Sequence, residues 1–464
     1  MPTRSSTIAV LCLCASLPAC SWSRFDDIRN ESPVVRITNP GAIPGFGARL
    51  ASARLDAGSV LLVGGQPNSA SSLAQYSIAD DRPASSPVDV GFCGQACVSG
   101  ASLTPLLSAA PSGSTPPCFL FGAGDRAGAR GLLGRCQDRV DFVYPVPGAD
   151  PAHPQDVSPA ELVDQALAGD LSQPLIQQAA SADQQPLVAA VSSVSRRAWF
   201  YPPASSAFQL LPSPDAVATD QGEDFGAAVA VLALAGGDHL VAVSAPRIDD
   251  PSRNGHVWFY RIERATNQVS SWGCLPGDRS GFGLYLSAGQ LVGDASDELL
   301  VTSIDSIQIY DGSVLAAQPL SDQCDAPLAS ADPHVASLSC VDSAAVVGCN
   351  RSPLSFGRST AIGDLDGDGV NELVVGMPEL DVDGVHGAGA VLVYHVDADP
   401  TRSSIVETDR LASPSNGDAL GSAVATVRVG DRDVVAAGAP GAATVFLFYC
   451  SSLGGAGRNS FRCP

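Results

Sequence analysis

The chain has 464 residues, 45% of them apolar and 16% charged. Its 46 glycines and 35 prolines stay below the roughly 25–30% share that marks a low-complexity chain, so a folded protein with a large core is expected. Every one of its 26 basic residues is arginine, against 48 carboxylates, for a net charge of −22; this excludes phosphate-loop, Schiff-base and kinase lysines and argues against nucleic acid, which needs a clustered positive field.

Residues 1–19 carry one charge, Arg4, followed by an apolar run from Ile8 to Leu17. The run is shorter than the roughly 18 residues of a spanning helix and reads as a secretory signal. It ends Leu17-Pro18-Ala19-Cys20, which resembles the bacterial lipoprotein signal, where a small residue precedes a cysteine that is lipidated and becomes residue one. The other reading is an ordinary cleaved signal with Cys20 as a structural cysteine. The lipoprotein reading implies a linker over 20–32 and an exported, lipid-anchored protein of the bacterial cell envelope, at the outer membrane or cell surface. No other stretch is apolar enough to span a bilayer.

Of 13 cysteines, those beyond Cys12, Cys14 and Cys20 are even in number, which in an exported chain favours disulfides. Local spacing suggests Cys93 with Cys97, Cys118 with Cys136, Cys274 with Cys324, Cys340 with Cys349, and Cys450 with Cys463. Connectivity stays open at this point, because spacing alone does not decide it.

From residue 33 onward a unit recurs that opens on Phe-Gly, passes through a β-rich segment to a small-residue turn often ending in Pro, and closes on an aromatic strand. Clear copies begin at Phe46-Gly47, Phe225-Gly226, Phe282-Gly283 and Phe356-Gly357, and weaker ones at Phe92-Cys93, Leu167-Ala168 and Leu420-Gly421. Second strands such as Leu240–Pro246, Leu373–Pro378 and Val434–Pro440 are short apolar runs closed by turn residues, the mark of buried strands. Third strands, such as Val257–Tyr260 and Val391–Tyr394, combine valine with aromatics. A unit too small to bury its own faces needs neighbours, and radial stacking of four-stranded sheets supplies them. The expected fold is therefore all-β, a seven-bladed β-propeller over residues 33–450, followed by a tail over 451–464. Insertions are expected at 105–117, 144–160, 202–222 and 313–355. The last unit stops at Tyr449, and an orphan strand at 33–38 precedes the first, so the N-terminal strand is expected to complete the last blade.

Phe-Gly followed by Gly-Ala-Pro, with an aspartate-rich loop between them, resembles the FG-GAP repeats of the integrin α-subunit N-terminal β-propeller and its bacterial relatives. The motif is specific in units four, six and seven. The resemblance implies that the acidic loop joins the first two strands of a blade and binds calcium, that partners bind the opposite face, and that the protein is a surface binding or adhesion module for protein or glycan partners.

Unit six contains Gly363-Asp364-Leu365-Asp366-Gly367-Asp368-Gly369-Val370-Asn371-Glu372-Leu373. Asp364, Asp366 and Asp368 at loop positions one, three and five, the backbone carbonyl of Val370 at seven and Glu372 at nine supply the oxygens that Ca²⁺ prefers. An EF-hand would need a Glu at position twelve, where Val375 stands inside an apolar strand, so this is a hairpin calcium loop. Unit five aligns in the same register but carries Gln290 and Val292 at the first two ligand positions, which predicts no tight calcium there.

Six scattered histidines, with no HExxH pair and no Gly-x-Ser-x-Gly elbow, give no support to a zincin or an α/β-hydrolase. The expectation is a non-enzyme. The alternatives are a propeller hydrolase with an acidic central-channel site and a purely structural envelope protein. Partner contacts are expected on the long connections between second and third strands, at Asp249, Asp250 and Arg253 in unit four and at Asp381 and Asp383 in unit six.

Overall fold

The computed structural model describes residues 34–40, 43–55, 58–65, 73–79, 82–90, 99–106, 118–126, 129–136, 139–142, 176–180, 187–193, 196–201, 209–212, 214, 224–247, 254–279, 281–317, 319–322, 324, 333–339, 346–347, 356–382, 384–396, 405–413 and 415–449. The signal, Cys20 and the tail beyond Tyr449 lie outside these residues, as do Asp249, Asp250, Arg253 and Asp383. The protein is all-β, with strands arranged in antiparallel four-stranded sheets.

Sheet one is Arg49–Leu55, Gly58–Gly64, Leu73–Ala79 and Arg82–Val90; sheet two is Ser99–Leu106, Cys118–Arg126, Ala129–Cys136 and Arg139–Phe142. Sheet three is Ile176–Ala180, Val188–Ser192, Arg197–Tyr201 and Gln209–Leu210; sheet four is Val229–Ala233, His239–Ala245, His256–Ile262 and Val269–Pro276. Sheet five is Tyr285–Gly289, Glu298–Thr302, Ser306–Tyr310 and His334–Ser339; sheet six is Ser359–Gly363, Glu372–Met377, Ala390–Val396 and Ile405–Ala412. Sheet seven takes Val424–Val429, Arg432–Ala439 and Thr444–Phe448 from the end of the chain and Val35–Thr38 from its start, with Val35 opposite Leu447 and Thr38 opposite Thr444.

Burial explains the strand patterns. Second strands are covered on both faces, as at His239–Ala245, Glu298–Thr302 and Glu372–Met377, which are buried along their whole length. A strand covered on both sides has no polar face to alternate, so it reads as a continuous apolar run. The first strand of sheet five, Tyr285–Gly289, is half-exposed instead. The cores lie between consecutive sheets: one joins Ala189 and Phe200 of sheet three to Val241 and Trp258 of sheet four, and another joins Leu61 and Val63 of sheet one to Val434 and Leu447 of sheet seven. First strands also neighbour one another in order, those of sheets five and six meeting through the Ser287 and Thr360 hydroxyls at 2.7 Å, and that of sheet one adjoins that of sheet seven.

The phase of the Phe-Gly and Gly-Ala-Pro elements has a local cause. Glycines that open a unit donate their amides to the second strand of their own sheet: Gly47 to Gly64 O at 3.2 Å, Gly226 to Ser244 O at 2.9 Å, Gly283 to Thr302 O at 3.0 Å and, in the Leu-Gly copy, Gly421 to Gly438 O at 2.9 Å. Such a glycine also presses on the end of the second strand of the preceding sheet, Gly283 on Ser244, Gly357 on Thr302 and Gly421 on Gly376. Across the two ends of the chain, Gly47 presses on Gly438. One residue thus locks two sheets, and the motif spacing must match the sheet spacing. A β-bulge sits before or at a tyrosine of the third strand in four sheets, at Tyr76, Tyr260, Tyr310 and Tyr394. Bulges add local twist, so the aromatic strand of the repeat is also its point of extra twist.

The region expected as an insertion at 313–355 is more ordered than that. It contains a one-and-a-half-turn helix, Gly312–Ala317, and the fourth strand of sheet five, His334–Ser339. It also supplies Val346–Val347, which pairs with Asp381–Val382 outside the seven sheets. A disulfide joins Cys274 to Cys324, as spacing suggested, and Cys118 and Cys136 are register partners on adjacent strands of sheet two. The other expected pairs lie outside the described residues. Among the described residues no helix is long and apolar enough to cross a membrane.

Candidate metal centre

The acidic loop of unit six joins Ser359–Gly363 to Glu372–Met377, the first and second strands of sheet six. Strand pairing sets its width, with Gly363 opposite Glu372, so the intervening aspartates must turn back within a hairpin. Gly367 at φ 83° and Gly369 at φ 88° make that turn in the left-handed region that a side chain resists. The carboxylates then hold the loop from inside: Gly367 N–H donates to Asp364 Oδ1 at 2.7 Å, Asp368 N–H to Asp366 Oδ1 at 3.2 Å, and Val370 N–H to Asp368 Oδ1 at 2.8 Å.

One oxygen from each of Asp364, Asp366 and Glu372 lies within 4.8 Å of the other two. Glu372, 1% exposed, accepts the Leu365 amide on Oε2 at 2.9 Å. Asp368 is exposed and stands outside that trio, so the expected five positions divide into three converging carboxylates and two loop-building residues, Asp368 and Val370. Burial, with the neighbouring aspartates adding to it, pushes Glu372 up to about 8, and burial also raises Asp366. Several carboxylates with this little water are a poor site for protons to leave and a good one for a hard cation. The donor set, all oxygen and mostly anionic, fits Ca²⁺.

Two partners of the loop come from elsewhere. Asp433, on the second strand of sheet seven, accepts the Asp364 amide at 2.9 Å and donates its own to Asp364 O at 2.6 Å, tying the loop to the next sheet. Arg428 stands 3.3 Å from Asp433 and 3.7 Å from Asp364. His395, register partner of Glu372, approaches its Oε1 at 3.4 Å. None belongs to the loop motif, so no local pattern points to them.

The corresponding loop of unit five, between Tyr285–Gly289 and Glu298–Thr302, neighbours this one: Asn371 Nδ2 donates to Gln290 O at 2.7 Å. Gln290 is turned onto the loop's own backbone at Asp294 O. Nevertheless a second trio converges here, with Asp294, Glu298 and Asp311 within 4.8 Å of one another. Asp311 lies outside the loop, just after the third strand.

On the other connection of sheet six, Asp381 accepts from the Gly387 amide at 2.8 Å and meets His386 Nδ1 at 2.8 Å. Its carboxylate is 14% exposed whereas the His386 ring is 73% exposed. Asp381 thus shapes the loop, and the histidine is what the loop presents.

Comparison with protein families bears on the same segment. Residues 356–394, which run from Phe356-Gly357 through the acidic loop to the third strand, match the FG-GAP repeat. No curated protein matches the chain. The match covers the Phe-Gly lock, the acidic hairpin and the buried second strand described above, so this segment of the chain is similar to an FG-GAP repeat, which supports the FG-GAP family.

Proposed function

We propose that the seven sheets are the blades of one closed β-propeller, completed by Val35–Thr38 in the last blade, and that it is a calcium-stabilised binding or adhesion module rather than an enzyme. The convergence of Asp364, Asp366 and Glu372 in a hairpin tied to the next sheet carries the reading. Bound there, Ca²⁺ would cross-link the two ends of the hairpin. Asp364, Asp366 and Glu372 would hold it, with Asp368 and the Val370 carbonyl closing the set. The seating of Gly47 on Gly438 supports the closed ring.

The Leu17–Cys20 segment supports export and lipid anchoring in a bacterial envelope, which would leave the folded unit facing outward from a membrane. Partners of protein or glycan type would meet the face opposite the calcium loop, on the connections between second and third strands, to which the sequence assigns Asp249, Asp250, Arg253 and Asp383 and one of which carries the exposed His386. Loops carried by a rigid scaffold are the usual place for such contacts. The test is retention of the purified protein on a glycan and matrix-protein array. Retention is expected to fall at least tenfold in chelator, and also in a variant combining Asp249→Ala, Arg253→Ala and His386→Ala whose melting curve is unchanged. Turnover of a glycoside or peptide that depends on one or two channel carboxylates would instead favour a propeller hydrolase.

A further inference from the structure

The unit-five loop lacks the carboxylates of its unit-six counterpart at Gln290 and Val292, yet the fold replaces part of what is missing from another strand. Strand register shows how. In sheet six Leu373 pairs with Tyr394, so the next residue, His395, lies beside Glu372. In sheet five Leu299 pairs with Tyr310, so the next residue, Asp311, takes the place of that histidine beside Glu298. A carboxylate thus stands where the neighbouring sheet has an imidazole.

Several contacts hold the three acids in place. Glu298, 0% exposed, accepts the Leu291 amide and, at 3.2 Å, the Val292 amide on Oε2. Asp294 Oδ1 accepts the Ser296 amide at 2.8 Å. Asp311 Oδ1 accepts the Ser313 and Val314 amides at 2.8 and 3.2 Å, which fixes the carboxylate at the head of the short helix. Gly312 brings that helix against the loop: a Cβ there would lie 2.0 Å from Asp297 O, so only glycine allows this approach. Asp297 and Ser296 in turn accept the Ala233 and Ala235 amides of sheet four, at 2.8 and 3.2 Å.

The independent sign of a ligand is Glu298 Oε1. It is buried and has no hydrogen-bond partner in the structure. Leaving a buried carboxylate oxygen unsatisfied is costly, and the charged groups acting on Glu298 are Asp294 and Asp311, which are also negative. A group that brings positive charge and accepts oxygen donors resolves all of this at once.

We propose that Asp294, Glu298 and Asp311 form a second divalent cation site, for Ca²⁺, assembled from a degenerate repeat loop and a carboxylate supplied by the end of the third strand. The site stands on its own residues, whether or not the unit-six loop holds calcium. It also reverses the expectation that this loop binds none tightly.

The test is equilibrium dialysis against Ca²⁺ alone, with the unaltered protein and four variants compared. The Asp364→Ala variant, with the unit-six loop disabled, is expected to retain one tightly bound ion. Adding Asp311→Asn to it is expected to weaken that binding at least tenfold, and Asp294→Asn, at an exposed position, is expected to do the same. Asp311→Asn alone is expected to lose one ion while keeping the other. The proposal is overturned if Asp364→Ala binds no calcium, or if its remaining ion is indifferent to Asp294→Asn and Asp311→Asn. Should Asp311→Asn fail to fold by circular dichroism, Asp294→Asn decides alone.

Discussion

Gly438→Ala is expected to lower stability by at least about 3 kcal/mol, read as a drop in melting temperature with an unchanged folded-state spectrum at low temperature. The added Cβ would lie 1.8 Å from Gly47 O and 2.7 Å from its carbonyl carbon. Both are backbone atoms, so no rotamer change relieves the contact, and the first and seventh sheets must part. Gly47 has no freedom to yield, since it sits at φ 91° with its own Cβ position 3.0 Å from Thr444 O. Gly376→Ala, 2.1 Å from Gly421 O, is expected to act alike between sheets six and seven. Ser244 is a control at the equivalent place between sheets four and five. Its hydroxyl accepts the Ala228 amide at 2.9 Å, and Ser244→Ala is expected to cost only about 1 kcal/mol. Deleting residues 33–38 attacks the Gly438 seam from its other side. It removes Ile37, 5% exposed in the core shared by sheets seven and one, and leaves one edge of the Thr444–Phe448 strand without its partner. A melting curve left unchanged by that deletion would contradict closure of the ring through the N-terminal strand.

Removal of calcium is the second large effect. At a hundredfold excess over the dissociation constant, an ion bound only by the folded state adds about 3 kcal/mol, so chelator is expected to lower the melting temperature by several degrees, and Asp364→Ala to remove the part of that response that the loop at 364–372 supplies. The pH dependence of the chelated protein follows from the same burial. Glu372 is raised from its ordinary 4.5 up to about 8 in the folded state. A raised carboxylate favours folding at pH below its unfolded value, and the contribution is lost as pH climbs through the folded one. In chelator, therefore, stability is expected to fall between about pH 4.5 and 8, with the raised Asp366 and Asp433 adding in the same direction. Glu372→Gln is expected to flatten the profile, and an equal slope in that variant would place its cause elsewhere.

Much of this fold is legible in the sequence because a strand buried on both faces is a plain apolar run, and such runs recur beside Phe-Gly. The acidic hairpin is equally legible, because Asp364 through Glu372 lie within one loop. What stays hidden is whatever register or neighbouring sheets supply. Asp433 and Arg428 reach Asp364 from sheet seven, and His395 reaches Glu372 across a strand pair, none at a spacing that a motif records. Asp311 is hidden for the same reason, which is why unit five looks impoverished when read along the chain alone. At Asp381 charge on a long connection suggests exposure, yet its carboxylate is engaged by Gly387 and His386. The Phe-Gly and Gly-Ala-Pro phase is visible in one dimension, while its cause, the seating of one glycine on the preceding sheet, exists only in three.

The central claim is that the hairpin at 364–372 binds calcium through Asp364, Asp366 and Glu372. Calorimetric titration of calcium into the protein and into its Asp364→Ala variant, both first stripped of metal, tests it most directly. A tight binding event present in the first and lost from the second is the predicted result. No binding by the unaltered protein, or superimposable isotherms for the two, would contradict it.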